Sequence, residues 1–592
     1  MVYEYTNQIT MEIIIKIRCA VLLIAVTAFT GCTSEDASGP LMPEGEELST
    51  IIRKSNVVYD SASFQTGLAH IPLYLSNGIV GGSFDHMGFQ SMPNKGVPNG
   101  RTVLGYIGHY YMHGPTTRQA QLPLAWIGAE FADGSSVLNM MDTRNYRQEL
   151  DIYNGVLTTS YNLHGDTRII AFAHHSIPNL FIMKIDRQSD SPDKEMLINI
   201  NCRGDLTQQS SIQWPPEPVT LKFEINGNTA RVVSSTNMVN TSWTVTSDND
   251  ITLLGEQLQI RLKDGENIIR FQVDRDDVDG KGALDLSFDD LLASHMAEWS
   301  ANWQRSWIDF PEKRAHHIWN RANYYNLSNF PVIPEKALIP TGMNTNIWGF
   351  TFPQDVYYVV ENLLRSGHFD RYEKSMKYWL DILPEVQKYT ERIMKLEGGY
   401  YPWTPPFEKW DEFEKDGVVS TDSYQIHNPA YVAAMIWHLY QRTGNSGFLS
   451  EYFPIIEEVW RFYTQILHKN EERGTYDVFH HTATTQDEAF RDIDLKNYLD
   501  ASYSAEYTAR NYLAAAEITG KADERLTGLA RSILDSGLER DALMTGRGYY
   551  GTFEGDDRPK NSQKHPVQLN AVTFVPMGDM GMALSILMNW SI

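Results

Sequence analysis

The stretch TTQDEAFRDIDLKNYLD, residues 484–500, joins an acidic loop to a strongly helical segment, and the rest of the chain is organised around it. Its centre is Asp487-Glu488, and Glu488 is the candidate proton donor. A carboxylic acid donates a proton near neutral pH only if desolvation or nearby negative charge raises its pKa, and several aspartates lie close by in the sequence. The alternative interpretation is a solvated acidic loop between two helices, and the other segments decide between the two.

Composition places the chain among globular proteins that do not bind nucleic acid. The 592 residues are 42% hydrophobic and 12% aromatic, which suffices for two or more domains and a large core. The formal net charge is -24 and the isoelectric point is about 5.1. Such a charge repels nucleic acid and anionic lipid headgroups, so it favours an enzyme or a binder of neutral ligands.

The N-terminus has the features of an export signal. Lys16 and Arg18 precede an apolar run of 11 residues, 19–29, and small residues follow it. The run is too short to span a bilayer, so residues 1–31 are predicted to be a signal peptide that is removed. The sequence Phe-Thr-Gly-Cys that ends at Cys32 resembles a bacterial lipobox.

Cys32 is therefore predicted to carry the lipid that anchors the chain to the outer membrane, facing the periplasm or the cell surface. Glu35 and Asp36 resemble the surface-export signals of Bacteroidetes lipoproteins. The alternative is an ordinary secretory peptide in which Cys32 has no role. Cys19 leaves with the signal and Cys202 remains alone, so neither a disulfide within the mature chain nor a cysteine metal site is expected.

Residues 45–285 are predicted to form one antiparallel β-sandwich domain, after a polar tether at residues 32–44. Short apolar runs alternate with Asn-Gly, Asp-Gly and Gly-Asn turn signals. Period-two alternation between such turns is typical of sandwich strands. The glycine-rich stretch at residues 76–82 is predicted to be a tight turn between two strands, because the helix that follows a nucleotide-binding loop is missing.

At residue 287 the pattern changes from strands to helices. Ser287 supplies an N-cap, and residues 286–330 are predicted to be a helical linker. Residues 331–592 continue as helices with short connections, which predicts an (α/α)6 barrel, or toroid. The fold class is thus a multidomain β + α protein with a sandwich, a linker and a toroid.

The buried face of the linker helix is predicted to consist of Leu292, Met296, Trp299 and Trp303. Further helices are predicted at residues 354–367, 371–394, 428–444, 449–469, 499–520 and 524–538.

Aromatic and acidic residues occur together in several connections of the helical half. Trp348, Asp355 and Trp403 lie in or beside such connections. A sugar presents an apolar face and a rim of hydroxyl groups, so its site combines aromatic platforms with carboxylates. Each residue also has a plain structural interpretation, because a Trp at a helix end usually packs and an Asp at a helix start usually caps.

Six segments together resemble, in order and rough spacing, the motifs of glycoside hydrolase family 65. They are HMAEWSANWQRSWIDF (295–310), WGFTFPQDVYYV (348–359), GGYYPWTPP (398–406), YQIHNPAYVAAMIWHLYQRTGN (424–445), TQDEAFRDIDLKNYLDASYS (485–504) and HPVQLNAV (565–572). That family contains acid trehalases, other α-glucoside hydrolases, and the maltose, trehalose and kojibiose phosphorylases. The stretch at residues 146–161 is also similar to its sandwich domain, so the resemblance covers nearly the whole mature chain.

The resemblance implies a role for each candidate residue. Glu488 matches the general acid of the family's Gly-Pro-Asp-Glu motif, although Thr-Gln replaces Gly-Pro here. Asp355 matches the aspartate of the Phe-Trp-Asp motif, which holds hydroxyl groups of the non-reducing glucose. Gln568 matches the glutamine of the Lys-Gln-Ala-Asp-Val motif, where valine replaces the lysine. Trp348 and Trp403 are the aromatic candidates for the same sugar site.

An inverting hydrolase that releases terminal α-linked glucose is the activity that the resemblance implies, with no metal and no cofactor. The family takes its general base or its phosphate ligands from a segment beyond the match to Gln568, and this chain ends at Ile592. An incomplete toroid with an unidentified base is therefore expected. Two alternatives stay open: another inverting toroid glycosidase of the α-L-fucosidase type, and a non-catalytic glycan-binding lipoprotein. A carbohydrate is the expected partner in every case.

Overall fold

Strands fill the first half of the structure and helices the second. The computed structural model describes residues 45–61, 71–90, 107–111, 120–137, 142–202, 220–235, 240–274, 282–332, 351–406, 410–414, 425–481 and 495–559. Within these ranges the two large sheets lie between Val57 and Val273, and long helices follow from Phe288. The predicted combination of a large antiparallel sheet region with helices is therefore confirmed.

The larger sheet has nine strands, and every neighbouring pair is antiparallel. In spatial order its strands are β1 (Val57–Tyr59), β6 (Arg144–Asp151), β7 (Val156–Asn162), β8 (Gly165–Ala173), β9 (Leu180–Ser189), β16 (Gly265–Val273), β13 (Asn240–Ser247), β12 (Thr229–Ser235) and β11 (Thr220–Asn226). The second sheet has seven antiparallel strands. They are β14 (Ile251–Leu254), β15 (Gln257–Arg261), β10 (Met196–Asn201), β5 (Ala120–Phe131), β4 (Ile107–Tyr111), β3 (Val80–Phe84) and β2 (Leu73–Ser76).

The two sheets pack face to face over a shared apolar core. Phe84 of β3 stacks on Phe181 of β9 across the gap, with ring centroids 5.9 Å apart. Alternate residues enter this core, as in β12, where Ala230 and Val232 are buried while Arg231 is exposed. Period-two alternation predicts this packing, because it gives each antiparallel sheet one apolar side to bury.

The first residues of the predicted sandwich domain form a helix, α1 (Gly45–Arg53), and not a strand. Leu48, Ile51 and Ile52 are buried on one side of it. Their spacing of three to four residues is the helical period, so the local pattern overrides the strand alternation that begins further along the chain.

The outer face of the nine-stranded sheet is covered by α2 (Phe288–Arg305). Ser287 caps this helix as predicted, accepting a hydrogen bond from the backbone N–H of Asp290. Phe172 of β8 points away from the sandwich core and contacts Phe288, with ring centroids 5.8 Å apart. Because β8 has protein on both faces, its last residues are buried without alternation.

The predicted buried face of α2 is confirmed for Trp299 and Trp303 and wrong for its first two residues. Leu292 and Met296 are only half-buried, whereas Leu291 and His295 take the inward positions. The imidazole of His295 packs on the ring of Phe172, with centroids 4.7 Å apart. Hydrophobic periodicity assigns a histidine to solvent, so the pattern could not anticipate a polar ring in the contact with the sheet.

The helix α3 (Lys313–Asn329) joins the sheets to the remaining helices. The Tyr324 hydroxyl donates to the carbonyl oxygen of Tyr74 in β2 at 3.3 Å. The backbone N–H of Val332, just after α3, donates to the Asn77 carbonyl oxygen at 3.1 Å. The predicted turn at residues 76–82 is confirmed, because β2 and β3 pair there as an antiparallel hairpin.

The later helices match the predicted segments with two corrections. One helix was predicted over residues 371–394, but the helix is interrupted at Ile382, because Pro384 has no N–H to continue the helical hydrogen bonding. The helix predicted over 449–469 ends three residues earlier, because the next residues form a β-hairpin. The elements are α4 (Pro353–Arg365), α5 (Phe369–Asp381), α6 (Leu383–Tyr389), α7 (Asn428–Thr443), α8 (Ser446–Ile466), β17 (Leu467–Asn470), β18 (Thr475–Val478), α9 (Leu499–Thr519) and α10 (Glu524–Ser536).

Three consecutive helix hairpins, α4–α5, α7–α8 and α9–α10, form two layers. In one layer α7 contacts α4 on one side and α9 on the other, while α5 and α8 pack against α7 from the second layer. The residues of α7 from Asn428 to Leu439 are consequently all buried, and the small side chains of Ala430, Ala433 and Ala434 let its neighbours approach closely. A complete (α/α)6 toroid needs six hairpins, so that detail stays a prediction.

The predicted export features lie outside the described residues, since residues 1–44, with Cys32, belong to no described range. Cys202 is a free and buried thiol after β10, and burial raises its pKa well above the usual range. In the ranges that the structure describes, none of the helices is both long enough and apolar enough to cross a membrane.

Candidate active site

The N-termini of α4, α7 and α9 meet at one end of the helical array. The side chain of Gln354 in α4 lies 3.3 Å from that of His427, the residue before α7, and His427 lies 3.3 Å from Asp500 in α9. The three helices therefore run parallel, with their first turns side by side. Helix N-termini carry partial positive charge and unpaired N–H groups, so this end favours ligands that are rich in oxygen.

Asp355 is the carboxylate that this end presents to solvent. It is exposed in the first turn of α4, whereas Gln354 and Val356 on either side of it are buried. Desolvation by the surrounding protein nevertheless raises its pKa to about 6. An accessible carboxyl group with a raised pKa is a candidate for binding a small polar ligand.

Trp403 lies next to the start of α4. Its half-buried ring packs on Phe352, the residue before α4, with ring centroids 5.0 Å apart and an interplanar angle of 48°. Trp403 and Asp355 thus lie at one helix end, and their joint role in a sugar site stays a prediction.

The segment that carries Trp403 is held against α8. The N–H of Gly399 donates to the Glu458 carbonyl oxygen at 2.8 Å. Gly398 has a φ of 95°, and a Cβ there would lie 2.5 Å from the Phe462 nitrogen, so only glycine fits. The close approach of the Gly398–Gly399 backbone to α8 restricts the position of the segment that carries Trp403.

A chain of polar contacts runs beneath the site from α9 to α4. Asp500 and His427 are 2% and 1% exposed, and the carboxylate lies 3.3 Å from Nδ1 of the imidazole. On the other edge of the ring, Nε2 lies 3.3 Å from Oε1 of Gln354. The amide nitrogen of Gln354 then donates to the Tyr358 hydroxyl at 3.4 Å. We call these four residues the outer chain.

Tyr358 brings this outer chain to the surface. It is 48% exposed and lies three residues after Asp355, hence on the same face of α4. Its hydroxyl is also hydrogen-bonded to Tyr431 of α7. The site therefore offers a carboxyl group and a phenol side by side, each able to bond a hydroxyl group of a ligand.

A second chain of polar contacts, deeper along the same helices, consists of Glu361, His438 and Tyr507. Nδ1 of His438 lies 2.6 Å from Glu361, and Nε2 lies 2.8 Å from the Tyr507 hydroxyl. All three residues are buried. We call them the inner chain. Glu361 follows Gln354 by 7 residues, His438 follows His427 by 11, and Tyr507 follows Asp500 by 7. These spacings are close to whole numbers of helical turns, so both chains lie on the same helix faces.

Sequence reasoning missed the outer chain. His427 and Gln354 stand inside two of the motifs quoted above, but nothing in either motif says that they face each other. The available signal was positional: a polar residue stands at the start of each of three apolar helices. Helix starts usually carry polar caps, so this signal alone did not distinguish a site from ordinary capping.

Four predicted site residues lie outside the described residues, namely Trp348, Glu488, Gln568 and Cys32. The described residues on either side of the stretch with Glu488 are tied to each other. The N–H of Asn497 donates to the Val478 carbonyl oxygen at 2.8 Å, and the Val478 N–H donates to Oδ1 of Asn497 at 2.7 Å. The chain enters α9 directly afterwards, so Val478 and Asn497 both lie near the start of the helix that carries Asp500.

Metal ligands are not grouped in the part of the chain that the structure describes: no three His, Cys, Asp or Glu side chains there could together hold a metal ion. A carboxyl group whose pKa is about 6 is mostly ionised at pH 7, so it mainly accepts hydrogen bonds from a ligand's hydroxyl groups.

Comparisons with known proteins bear on the fold. No protein-family model and no curated protein sequence matches the chain. A solved structure of a protein assigned as a kojibiose phosphorylase, from the human microbiome, overlaps 85% of this chain and 72% of that one at 12% identity, with a TM-score of 0.62. A glycosyl hydrolase of family 92 overlaps 84% and 76% at 10% identity, but its TM-score of 0.34 is too low to support an argument. The resemblance predicted from the motifs is thus confirmed for the fold, which this chain shares with the protein assigned as a kojibiose phosphorylase.

Proposed function

We propose that the chain is a glycoside hydrolase that binds a terminal α-linked glucose at the joined N-termini of α4, α7 and α9 and releases it with inversion. In this proposal the three described hairpins belong to an (α/α)6 toroid. Glu488 protonates the glycosidic oxygen as the bond to the anomeric carbon breaks. Water attacks that carbon from the opposite face and loses its proton to a base that remains to be identified.

The sugar is held by residues around the start of α4. Asp355 bonds hydroxyl groups of the glucose, Trp348 and Trp403 supply aromatic contact, and Gln568 adds a polar contact. The single observation that carries the proposal is the state of Asp355, an accessible carboxyl group whose pKa is raised to about 6 by desolvation. Carboxyl groups with strongly shifted pKa values are concentrated at binding and catalytic sites.

The shared fold supports this proposal without deciding it. The protein assigned as a kojibiose phosphorylase has the same fold, and by that name it acts on an α-linked glucose disaccharide. Its sequence is only 12% identical, so the assignment of substrate rests on the site.

Glucose release from a panel of disaccharides tests the proposal. Trehalose, kojibiose, nigerose and maltose are incubated with the wild-type chain and with Glu488→Gln, and the anomer released first is followed by NMR. We expect β-glucose from at least one sugar, and a loss of roughly a hundredfold or more in kcat for the variant, since general acid catalysis contributes about 10²–10⁴-fold. Unchanged activity in Glu488→Gln contradicts the proposed acid.

The same panel separates the alternatives. Glucose 1-phosphate formed only when inorganic phosphate is added indicates phosphorolysis, and release of fucose from a glycan panel indicates an α-L-fucosidase. Binding of a disaccharide without turnover over a day indicates a glycan-binding protein.

We also propose that the chain is an outer-membrane lipoprotein with its lipid on Cys32. The residues around Cys32 support this, because they combine a short apolar run with a lipobox-like end. Cells expressing the wild type and Cys32→Ser are grown with labelled palmitate. Label in both proteins, or in neither, contradicts the anchor.

A further inference from the structure

His427 occupies an unusual position between two helix starts. The ring is 1% exposed, and its two nitrogens face different helices. Nδ1 lies 3.3 Å from Oδ2 of Asp500 in α9, and Nε2 lies 3.3 Å from Oε1 of Gln354 in α4. The Nε2 edge is within hydrogen-bond distance of Gln354, whereas the Nδ1 edge faces the Asp500 carboxylate at ion-pair distance.

Joining the helices does not require His427, because the inner chain already joins the same three helices. His438 contacts Glu361 and Tyr507 at 2.6 and 2.8 Å, distances shorter than those of the outer chain. The two chains differ in where they lead. The inner chain ends in the core, whereas the outer chain ends at the exposed Tyr358.

The contact between His427 and Gln354 links the buried histidine to the protein surface. Gln354 precedes Asp355 in the first turn of α4, and its amide also donates to the hydroxyl of Tyr358 at 3.4 Å. A change in the Gln354 side chain therefore reaches the Tyr358 hydroxyl directly and Asp355 through the backbone of the same helical turn. Contacts of 3.3–3.4 Å are at the long end of the hydrogen-bond range, so the amide is easily reoriented once its partner is lost.

We propose that His427 is a positioning residue: anchored on Asp500, it orients the Gln354 amide and thereby fixes Asp355 and Tyr358 for a ligand's hydroxyl groups. The identification of the ligand as glucose depends on the proposed function, whereas the positioning of α4 does not. Residues that orient binding groups typically contribute about 10–100-fold to affinity or activity.

Two isosteric variants separate the two edges of the ring. The amide nitrogen of Asn in His427→Asn stands close to the place of Nδ1, and that of Gln in His427→Gln stands close to the place of Nε2. His427→Gln thus places an amide donor toward Oε1 of Gln354, whereas His427→Asn places one only toward the Asp500 carboxylate. His438→Gln is the matched control, because it disturbs the inner chain between the same helices.

Two measurements on the full chain follow from this design. Hydrogen exchange of the amides at residues 352–358, without sugar, is expected to quicken in His427→Asn by about tenfold and to change little in His427→Gln and His438→Gln. Titration calorimetry with D-glucose is expected to show a Kd raised roughly tenfold in His427→Asn and less than threefold in His427→Gln. All three variants are expected to lower the melting temperature.

The outcome that overturns the proposal is equal exchange at residues 352–358 in the two His427 variants, since a purely structural histidine does not distinguish its two edges in this way. If the wild type binds no glucose, the proposed function fails. The exchange data then still decide the role of His427, because they need no sugar.

Discussion

At the scale of single residues, Asp355 shows a conflict between function and stability. Desolvation raises its pKa to about 6, so above that pH the folded protein holds a carboxylate that water would solvate better. Sites that bind polar ligands commonly keep such unfavourable groups, because the ligand supplies the missing hydrogen bonds.

Asp355→Asn is expected to raise the melting temperature at pH 7.5. The ordinary pKa of 3.8 applies to the unfolded chain and about 6 to the folded protein, so the folded state binds more protons between these values. The contribution of Asp355 to stability therefore falls as the pH rises from about 4 to 6 and is constant above that. The gain from Asn should shrink toward zero at pH 4, as followed by calorimetry.

The control for this comparison is Asp381→Asn, which removes an exposed carboxylate paired with Lys377. It should leave the melting temperature nearly unchanged at both pH values, because exposed pairs contribute little. A loss of stability in Asp355→Asn at pH 7.5 contradicts the account of a desolvated carboxylate.

Sequence reasoning proposed Asp355 and Trp403 as site residues but did not single out His427. Asp355 and Trp403 are of the residue types that sugar recognition needs, and both stood in motif-like segments. His427 acts through its distances to Gln354 and Asp500, which are 73 residues before it and 73 after it. Partners so far apart come together only through the packing of three helices, which residue type and local spacing do not encode.

At the scale of elements, the turn between β2 and β3 is a tight point of the fold. Gly78 has a φ of 79°, and a Cβ added there would lie 2.4 Å from the Pro331 nitrogen. The turn thus needs glycine both for its left-handed backbone and for its contact with the segment after α3. Sequence reasoning predicted the tight turn from its glycines, but not what it packs against.

Gly78→Ala is expected to destabilise the protein more than Gly134→Ala does. Gly134 has nearly the same φ, 80°, but open space around its Cα. Both variants place alanine in the left-handed region, which costs about 1–2 kcal/mol. The steric contact with Pro331 should add roughly 1–3 kcal/mol for Gly78→Ala alone. Equal urea midpoints for the two variants would contradict this prediction, because they would show that the turn accommodates the methyl group of Gly78→Ala without added strain.

Most elements were predictable because each carries its own period. The strands alternate apolar and polar residues, and α8 and α9 carry long helical patterns. The errors arose where a neighbour overrides the local pattern. His295 turns inward against Phe172, and Pro384 divides a segment that otherwise has a continuous helical pattern.

At the scale of the whole molecule, buried histidines collect where the sheet, α2 and α5 meet. His175 follows β8, His295 belongs to α2, and His368 precedes α5 beside the buried Arg371. Burial is the main cause that lowers the pKa of His295 and of His368 to about 3, and the guanidinium of Arg371 lowers the pKa of His368 further. These rings are therefore neutral at pH 7, and the junction carries few uncompensated charges.

Acid is expected to weaken this junction. Unfolded histidines bind protons near pH 6.5, whereas these do so only near pH 3, so stability falls as the pH drops below about 6.5. Each such ring should lower the free energy of unfolding by roughly 1.4 kcal/mol per pH unit. Urea unfolding at pH 7.5 and 5.5 should therefore show a smaller loss for His368→Asn than for the wild type.

The matched control is His481→Asn, which removes an exposed histidine. It should lose as much stability on acidification as the wild type. If His368→Asn behaves in the same way, neutral burial of His368 is not what makes the junction sensitive to acid.

The central claim is that a sugar binds where α4, α7 and α9 begin, and a crystal structure of the protein soaked in D-glucose tests it most directly. The account predicts a pyranose ring whose hydroxyl groups lie about 2.7–3.2 Å from Asp355, with one apolar face against an indole. A glucose bound elsewhere, with the first turn of α4 facing only water, would contradict it.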